Sequence, residues 1–337
     1  MREALFTTPI TEMLGIRHPI LCGGLGPAIA DADYVAAVVN AGGMGFIVAA
    51  GFPDPDAFRE QLTRCRLLTG GKGFGVNLYI SRQAGGAQRL ERHLQILIEA
   101  GVKCVETAGA SPEPVLPMLR DAGVKVLHKV PAVRYAHTAA RLGVDGVIVV
   151  GNDCGGHPGI YGISSMVQAA QATAELSLPI VIAGGIGTGR QLAACLAMGA
   201  DAILMGSRML VAKELAIHDA YKEQVVRGDG TESIVVKTGL RDHHRVLVND
   251  SAKAVAALDA SGASEFEQYR PHVMGALATQ AYQSGDSRQG MLDYGPATVF
   301  ADAIKPVESI FDEMIDDARN ALTRLGLLTR QLKKDHD

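Results

Sequence analysis

Tryptophan is absent from this 337-residue chain, and aromatic residues make up only 5% of it. With so few rings, Phe52, Tyr79 and Tyr161 are the candidates to touch a planar ligand, and nothing in the sequence chooses among them. The five cysteines (Cys22, Cys65, Cys104, Cys154, Cys195) form no C-x-x-C pair. That argues against a disulfide framework or a structural zinc site and points to a reducing, cytoplasmic setting. Cys22 and Cys154 sit at strand ends where either could line a pocket; the other three read as small buried hydrophobes. Net charge is −4 and no basic run occurs, so a nucleic-acid partner has no electrostatic footprint. No apolar run approaches the ~20 residues of a membrane span, and Met1–Phe6 lacks a signal-peptide apolar region. His243 and His244 are adjacent and face apart, so they read as a solvated loop and not as metal ligands. There is no G-x-S-x-G elbow and no P-loop. Gly23-Gly24-Leu25-Gly26 lacks the spacing of a dinucleotide fingerprint.

What is present is a large apolar fraction, 47%, with 20% charged residues, which suits an ordered core. Eight short apolar runs carry little polar alternation, as expected for parallel strands covered on both faces. They are Pro19–Gly24, Gly45–Ala50, Phe74–Ile80, Cys104–Ala108, Lys125–Val130, Gly146–Val150, Pro179–Ala183 and Ala202–Met205. Helical patterns lie between them, and many end on glycine (Gly42, Gly101, Gly123, Gly143, Gly199). Strict alternation of eight strands and helices predicts a (β/α)8 TIM barrel, an α/β fold, ahead of an open doubly wound sheet. The barrel is expected over residues 1–210, closed by a helix in about 305–330. Residues 211–304 lose strand character and read as a smaller, mostly helical subdomain over the barrel mouth.

In such barrels the site lies at the C-terminal strand ends, and phosphate often binds after strands seven and eight. Here those turns are Gly184-Gly185-Ile186-Gly187 and Gly206-Ser207-Arg208, whose glycines let backbone N–H groups approach an anion. After strand six comes Gly151–Gly159, a glycine-rich turn that frees His157 to reach a ligand over the strand end. Asp153, Gly155 and Gly156 of that turn join the expected cofactor-binding positions. Asn77 and Lys129 are polar anomalies on strands three and five and should point into the same mouth. An amide, a cation and a phosphate cradle suit a flavin mononucleotide (FMN); a structural ion pair with Glu106 is the other role open to Lys129. His128, of opposite parity, reads as a packing residue. Asp145 and Asp201 read as turn residues at the barrel bottom. Two other classes fit the cradle: an isomerase or lyase on a phosphorylated metabolite, using Lys129 and His157, and a non-catalytic ligand-binding barrel.

Taken in order, Thr11–Ile20, Gly23-Gly24, Asn40–Gly43, Phe74–Leu78, Glu106–Gly109, His128-Lys129, Gly155–Gly159, Ala183–Gly185 and Met205–Arg208 resemble the 2-nitropropane dioxygenase-like, or nitronate monooxygenase, flavoproteins. The motifs are most similar to the bacterial NADH:quinone reductase branch. The resemblance implies an FMN-binding barrel oxidoreductase. It implies flavin contacts at Gly23, Gly24, Leu25, Asn77, Lys129, Gly184, Gly185, Gly206 and Ser207, and a catalytic His157. The implied reactions are oxidation of a nitronate with O2, or electron transfer from NADH or NADPH through FMN to a quinone. Flavin-dependent enoyl-thioester reduction is the alternative, although no basic cluster suited to coenzyme A phosphates is visible. A small-molecule substrate and a homodimer are the expected partners. Departures at Asn152–Cys154, Leu25–Ala28, Ser207 and Leu240–His244 lie where substrate should bind.

Overall fold

The computed structural model describes residues 2–81 and 86–334. Eight parallel strands close into a barrel in sequence order. They are β1 (Ile20–Cys22), β2 (Met44–Val48), β3 (Gly75–Ile80), β4 (Cys104–Gly109), β5 (Lys125–Val130), β6 (Gly146–Val150), β7 (Ile180–Ala183) and β8 (Ala202–Met205), with helices between them. The (β/α)8 expectation holds, and β8 pairs back onto β1 through Ile20 opposite Ile203 and Leu21 opposite Leu204.

Alternation along each strand divides the core in two. Leu21, Met44, Phe46, Cys104, Leu127, Ile148, Val181 and Ala202 fill the barrel interior. Val76, Val105, Val126, Val147, Ile182 and Ile203 face outward under the helices. Both sets are buried, which is why the strands read as continuous Val/Ile runs. Each such side chain contributes about 1.5–3 kcal/mol by leaving water. The bottom of the barrel is plugged by the helix Pro9–Leu14, whose Ile10 joins the inner core. Thr8 caps that helix and donates from Oγ1 to the Asp201 carbonyl at 2.7 Å. Asp145 and Asp201 behave as expected of bottom turns. Asp145 accepts from the Val126 N–H at 2.9 Å, and Asp201 from the Ile180 N–H at 2.8 Å. Only the opposite end is free for chemistry.

The segment 211–304 contains helices Asp219–Arg227, Asp250–Ala260, Phe266–Val273 and Gly275–Ser284. It also contains an antiparallel pair, β9 (Ser233–Val236) and β10 (His244–Leu247), where no strand was expected. The two runs are four residues each and mixed in polarity, too short for periodicity to register. The turn between them is held from afar: the Asp259 carboxylate accepts the N–H groups of Thr238 and Gly239 at 3.1 and 3.0 Å.

The chain ends in the long helix Val307–Lys334, which packs on the helix Gly189–Ala197. Contact is so close that a Cβ on Gly189 would be driven into the Met314 carbonyl oxygen. Gly189→Ala is therefore expected to lower the thermal midpoint, overpacking costing about 1–3 kcal/mol. Gly326→Ala lies in the same closing helix with nothing within 4 Å of the added carbon. It should hold or raise the midpoint, since Ala favours helix over Gly by about 1 kcal/mol. Equal losses in both variants by scanning calorimetry would contradict this account of the helix contact.

Candidate active site

The inward parity that packs Cys104 and Leu127 carries three polar residues up to the mouth: Asn77 on β3, Glu106 on β4 and Lys129 on β5. Asn77 and Glu106 are direct partners in the β3–β4 register. Glu106 is wholly buried. Its Oε2 accepts from Asn77 Nδ2 at 2.6 Å and from the Gly24 N–H at 3.4 Å, and its Oε1 lies 2.5 Å from Lys129 Nζ. The pairing left open for Lys129 is thus made, and its charge balances a buried carboxylate. Lys129 keeps further ammonium hydrogens for a ligand, and Asn77 keeps its carbonyl oxygen. Gly24 belongs here for steric reasons: a Cβ would meet Val48 Cγ2 at 2.8 Å and Asn77 Cβ at 3.0 Å. Gly23 likewise abuts Leu204, and Leu25 caps the short helix Gly26–Ile29. His128 points outward, bonds Thr107 Oγ1 at 2.9 Å and is a packing residue; burial lowers its pKa to about 4.

Beside this cluster stand the two glycine turns. Gly184 and Gly185 adopt positive φ, +98° and +69°, and a Cβ on Gly184 would strike the Gly151 carbonyl at 2.8 Å. Among the described residues, no loop hydrogen bond takes the N–H of Gly184, Gly185, Gly206 or Ser207. These unpaired donors suit an anion. The cradle is smaller than expected, because Gln191 Oε1 already accepts the N–H groups of Gly187 and Thr188 at 2.9 and 3.1 Å. Arg208 turns away to Glu313, 3.2 Å distant on the closing helix. Ser207 Oγ accepts the Gly295 N–H at 3.0 Å and retains its own hydrogen to donate.

The turn after β6 joins this group. A Cβ on Gly155 would meet Ser207 Oγ at 2.8 Å, and one on Gly185 would meet Asp153 Cβ at 2.8 Å. Asp153 Oδ2 accepts the Ser165 N–H at 2.7 Å, fixing the start of the next helix. Gly156 exchanges two backbone hydrogen bonds with Arg245 of β10, at 2.9 and 2.6 Å. The hairpin therefore clips the turn that carries His157. The His157 ring stacks on that of His244, centroids 4.1 Å apart and planes at 20°. His244 Nε2 lies 2.6 Å from Asp293 Oδ1. The solvated-loop reading of His244 is corrected: it is a buried strand residue, and with Asp293 it is a part of the site that the sequence did not reveal. Lys237 pairs with Asp242, whose Oδ1 is 3.8 Å from His157 Nε2.

These neighbours set the electrostatics. The His157 side chain keeps 54% of its surface open, but desolvation by the protein packed against it, reinforced by His244, outweighs the pull of Asp293 and lowers its pKa to about 4. His157 is neutral near pH 7 and so accepts a proton better than it donates one. Burial pushes the Asp293 carboxyl up, but its hydrogen bond from His244 and the surrounding positive charge hold it below the usual range. Cys22 faces the outer layer, not the pocket, and burial raises its thiol to about 12. Cys154 packs at the inner core, also raised to about 12, so neither is a ready thiolate. Phe52 is half-buried and lends its carbonyl to His93. Tyr79 and Tyr161 stay exposed at the rim.

The barrel thus gathers its polar cluster, its unpaired backbone donors and the histidine turn at one mouth, the end opposite the helix plug. The nitronate monooxygenase family model matches residues 7–317, and the chain belongs to that family. It is 34% identical over 242 residues to the (3aS,4S,5R,7aS)-5-hydroxy-7a-methyl-1-oxo-octahydro-1H-indene-4-carboxyl-CoA dehydrogenase of Mycobacterium tuberculosis, covering 71% of this chain and 66% of that protein. It is 26% identical to a probable nitronate monooxygenase of Staphylococcus saprophyticus, covering 68% of this chain and 75% of that one. The structure of FabK from Thermotoga maritima superposes with a TM-score of 0.86 at 29% identity, covering 95% of this chain and 98% of that one.

Glu106→Ala would strand the Lys129 ammonium beside Asn77. Removing one partner of a buried pair costs about 3–5 kcal/mol; with the Lys129 side chain 23% exposed, about 3 kcal/mol is expected in urea unfolding. Wild-type stability in this variant would show that the pair does not hold the strand ends together.

Proposed function

We propose that this protein is an FMN-dependent oxidoreductase that acts on a carbon acid, with a coenzyme A thioester as the favoured substrate class. The observation that carries the reading is the convergence of three turns. The unpaired N–H groups after β7 and β8 and the histidine turn after β6 meet within van der Waals contact at Gly155, Ser207, Asp153 and Gly185. Gly184, Gly185, Gly206 and Ser207 would hold the phosphate, and Gly23, Gly24, Leu25, Asn77 and Lys129 would line the ring. Gly155, Gly156 and the backbone at Asp153 close the third side. When bound, FMN supplies an electron acceptor that no side chain here provides.

The chain's own contribution is proton handling and orientation. His157, neutral and clipped by the hairpin, takes a proton from carbon next to an electron-withdrawing thioester carbonyl. Asn77, oriented by Glu106, offers an acceptor, and Lys129 offers positive charge. The thioester class is favoured by the similarity to a carboxyl-CoA dehydrogenase. A nitronate substrate is the second reading, favoured by the family description and the staphylococcal relative. On that reading His157 would act as base only toward the neutral nitroalkane, since a nitronate has already lost its carbon proton.

The purified protein is expected to be yellow and to release FMN on denaturation; a colourless protein without FMN would favour the isomerase or lyase reading. Offering NADH, NADPH, an acyl-CoA and a nitronate separately under anaerobic conditions, and following the flavin absorbance, identifies the reductant. His157→Ala should keep its flavin and lose about 10²–10⁴-fold in turnover. For wild type, kcat/KM should be flat across neutral pH and fall only as acidity protonates His157 near pH 4. A rate that instead falls as pH rises through neutrality would mean that His157 works as an acid, and would reject the proposed role.

A further inference from the structure

Three distant stretches meet at the rim of the mouth: the first turn of the helix after β5, the loop after His157 and the turn between β9 and β10. Arg134 lies over two rings, its guanidinium carbon 5.5 Å from the centroid of Tyr135 and 5.7 Å from that of Tyr161. Arg134 Nη1 donates to Tyr161 Oη at 3.3 Å, and the two phenol oxygens are 3.2 Å apart. Both rings remain open to solvent, at 40% and 41% exposure. Arg241 lies within electrostatic reach of both phenols. Its backbone has φ +53°, a region that L side chains rarely adopt. That conformation is held by the Arg241 N–H donating to the Thr238 carbonyl at 3.0 Å and by the Lys237–Asp242 pair. Among the described residues neither Arg134 nor Arg241 has a carboxylate partner, in a chain whose net charge is −4.

We propose that Arg134, Tyr135, Tyr161 and Arg241 form a binding site for the phosphate-bearing end of a nucleoside diphosphate, the chemistry shared by coenzyme A and the nicotinamide dinucleotides. Guanidinium forks match phosphate oxygens, and phenol hydroxyls add neutral donors. The exposed ring faces suit a purine. Tyr161 is four residues beyond His157, so its Cα lies at most about 14 Å from that of His157. A ligand anchored at the rim would therefore extend its reactive end toward the mouth. The assignment rests on the reading of that mouth as the reaction centre, but binding is measured without turnover, so the two fail separately.

Calorimetric titration of the full-length protein with coenzyme A, NAD+ and NADP+, none of which reduces a flavin, tests the site. Arg134→Gln and Arg241→Gln should each weaken binding of at least one ligand about tenfold, the loss of a charge-assisted contact. Arg241→Lys should weaken it less. A loss confined to coenzyme A identifies a thioester as the rim's ligand, and a loss confined to NAD+ and NADP+ identifies the dinucleotide. Unchanged affinity for all three ligands in both glutamine variants, or no binding by wild type, overturns the proposal. Either result leaves the FMN content and the His157→Ala measurement to judge the oxidoreductase reading on their own.

Discussion

A carboxylate with no solvent exposure sits at the centre of the barrel mouth, and its neighbours follow from that constraint. An uncompensated charge there would be too costly to keep. Glu106 is therefore met by an ammonium from β5, an amide from β3 and the backbone N–H of Gly24 beyond β1. One side chain ties four strand ends into a single polar floor. The floor also determines what remains for a ligand: an Asn77 oxygen, spare Lys129 hydrogens and a close approach allowed by Gly24. Replacing the cluster with apolar residues could preserve the barrel, but it would leave the mouth without directional polar groups.

The second constraint comes from outside the barrel. The turn after β6 could adopt many conformations, since it carries glycine at four of nine positions. It is fixed by the Gly156–Arg245 backbone exchange and by the His157–His244 stack. The same contacts surround the imidazole and disfavour its charged form. Position and protonation state thus share one cause, the docking of a short hairpin. Asp293 limits the effect by anchoring His244 from the far side, its own N–H donating to Tyr282 Oη at 3.1 Å.

The barrel was legible in the sequence because burial on both faces writes itself as Val/Ile runs, and all eight strands were found by that signal. The inward placement of Asn77 and Lys129 and the outward placement of His128 follow from parity alone. The turns at Gly184 and Gly206 were legible as glycine clusters. Glu106 was visible only as one residue of a motif and as a partner for Lys129, because its role as a hub depends on the lateral register of β3, β4 and β5. His244 and Asp293 were not legible. They are 49 residues apart, β10 is too short to show a period, and two adjacent histidines look like a loop. Gly187 misled for a local reason: a capping glutamine four residues later satisfies its N–H.

Under the proposed reading two kinds of anion recognition stand side by side, and their physics differs. The N–H groups after β7 and β8 are held by backbone that cannot rearrange without breaking strand ends, so an anion there loses little to reorganisation. That arrangement suits a group retained through many turnovers. The Arg134–Arg241 rim is exposed and built from long side chains, so its attraction is screened by salt and its contacts exchange quickly. It suits a molecule that must arrive and leave, and its positive charge on an acidic surface would speed that arrival. Under the proposed reading the hairpin serves both ends of such a molecule, since Arg241 and His244 lie on the same short ribbon. A ligand that contacts the turn at Arg241 therefore pulls on the element that orients His157, and binding at the rim is mechanically joined to the placement of the base.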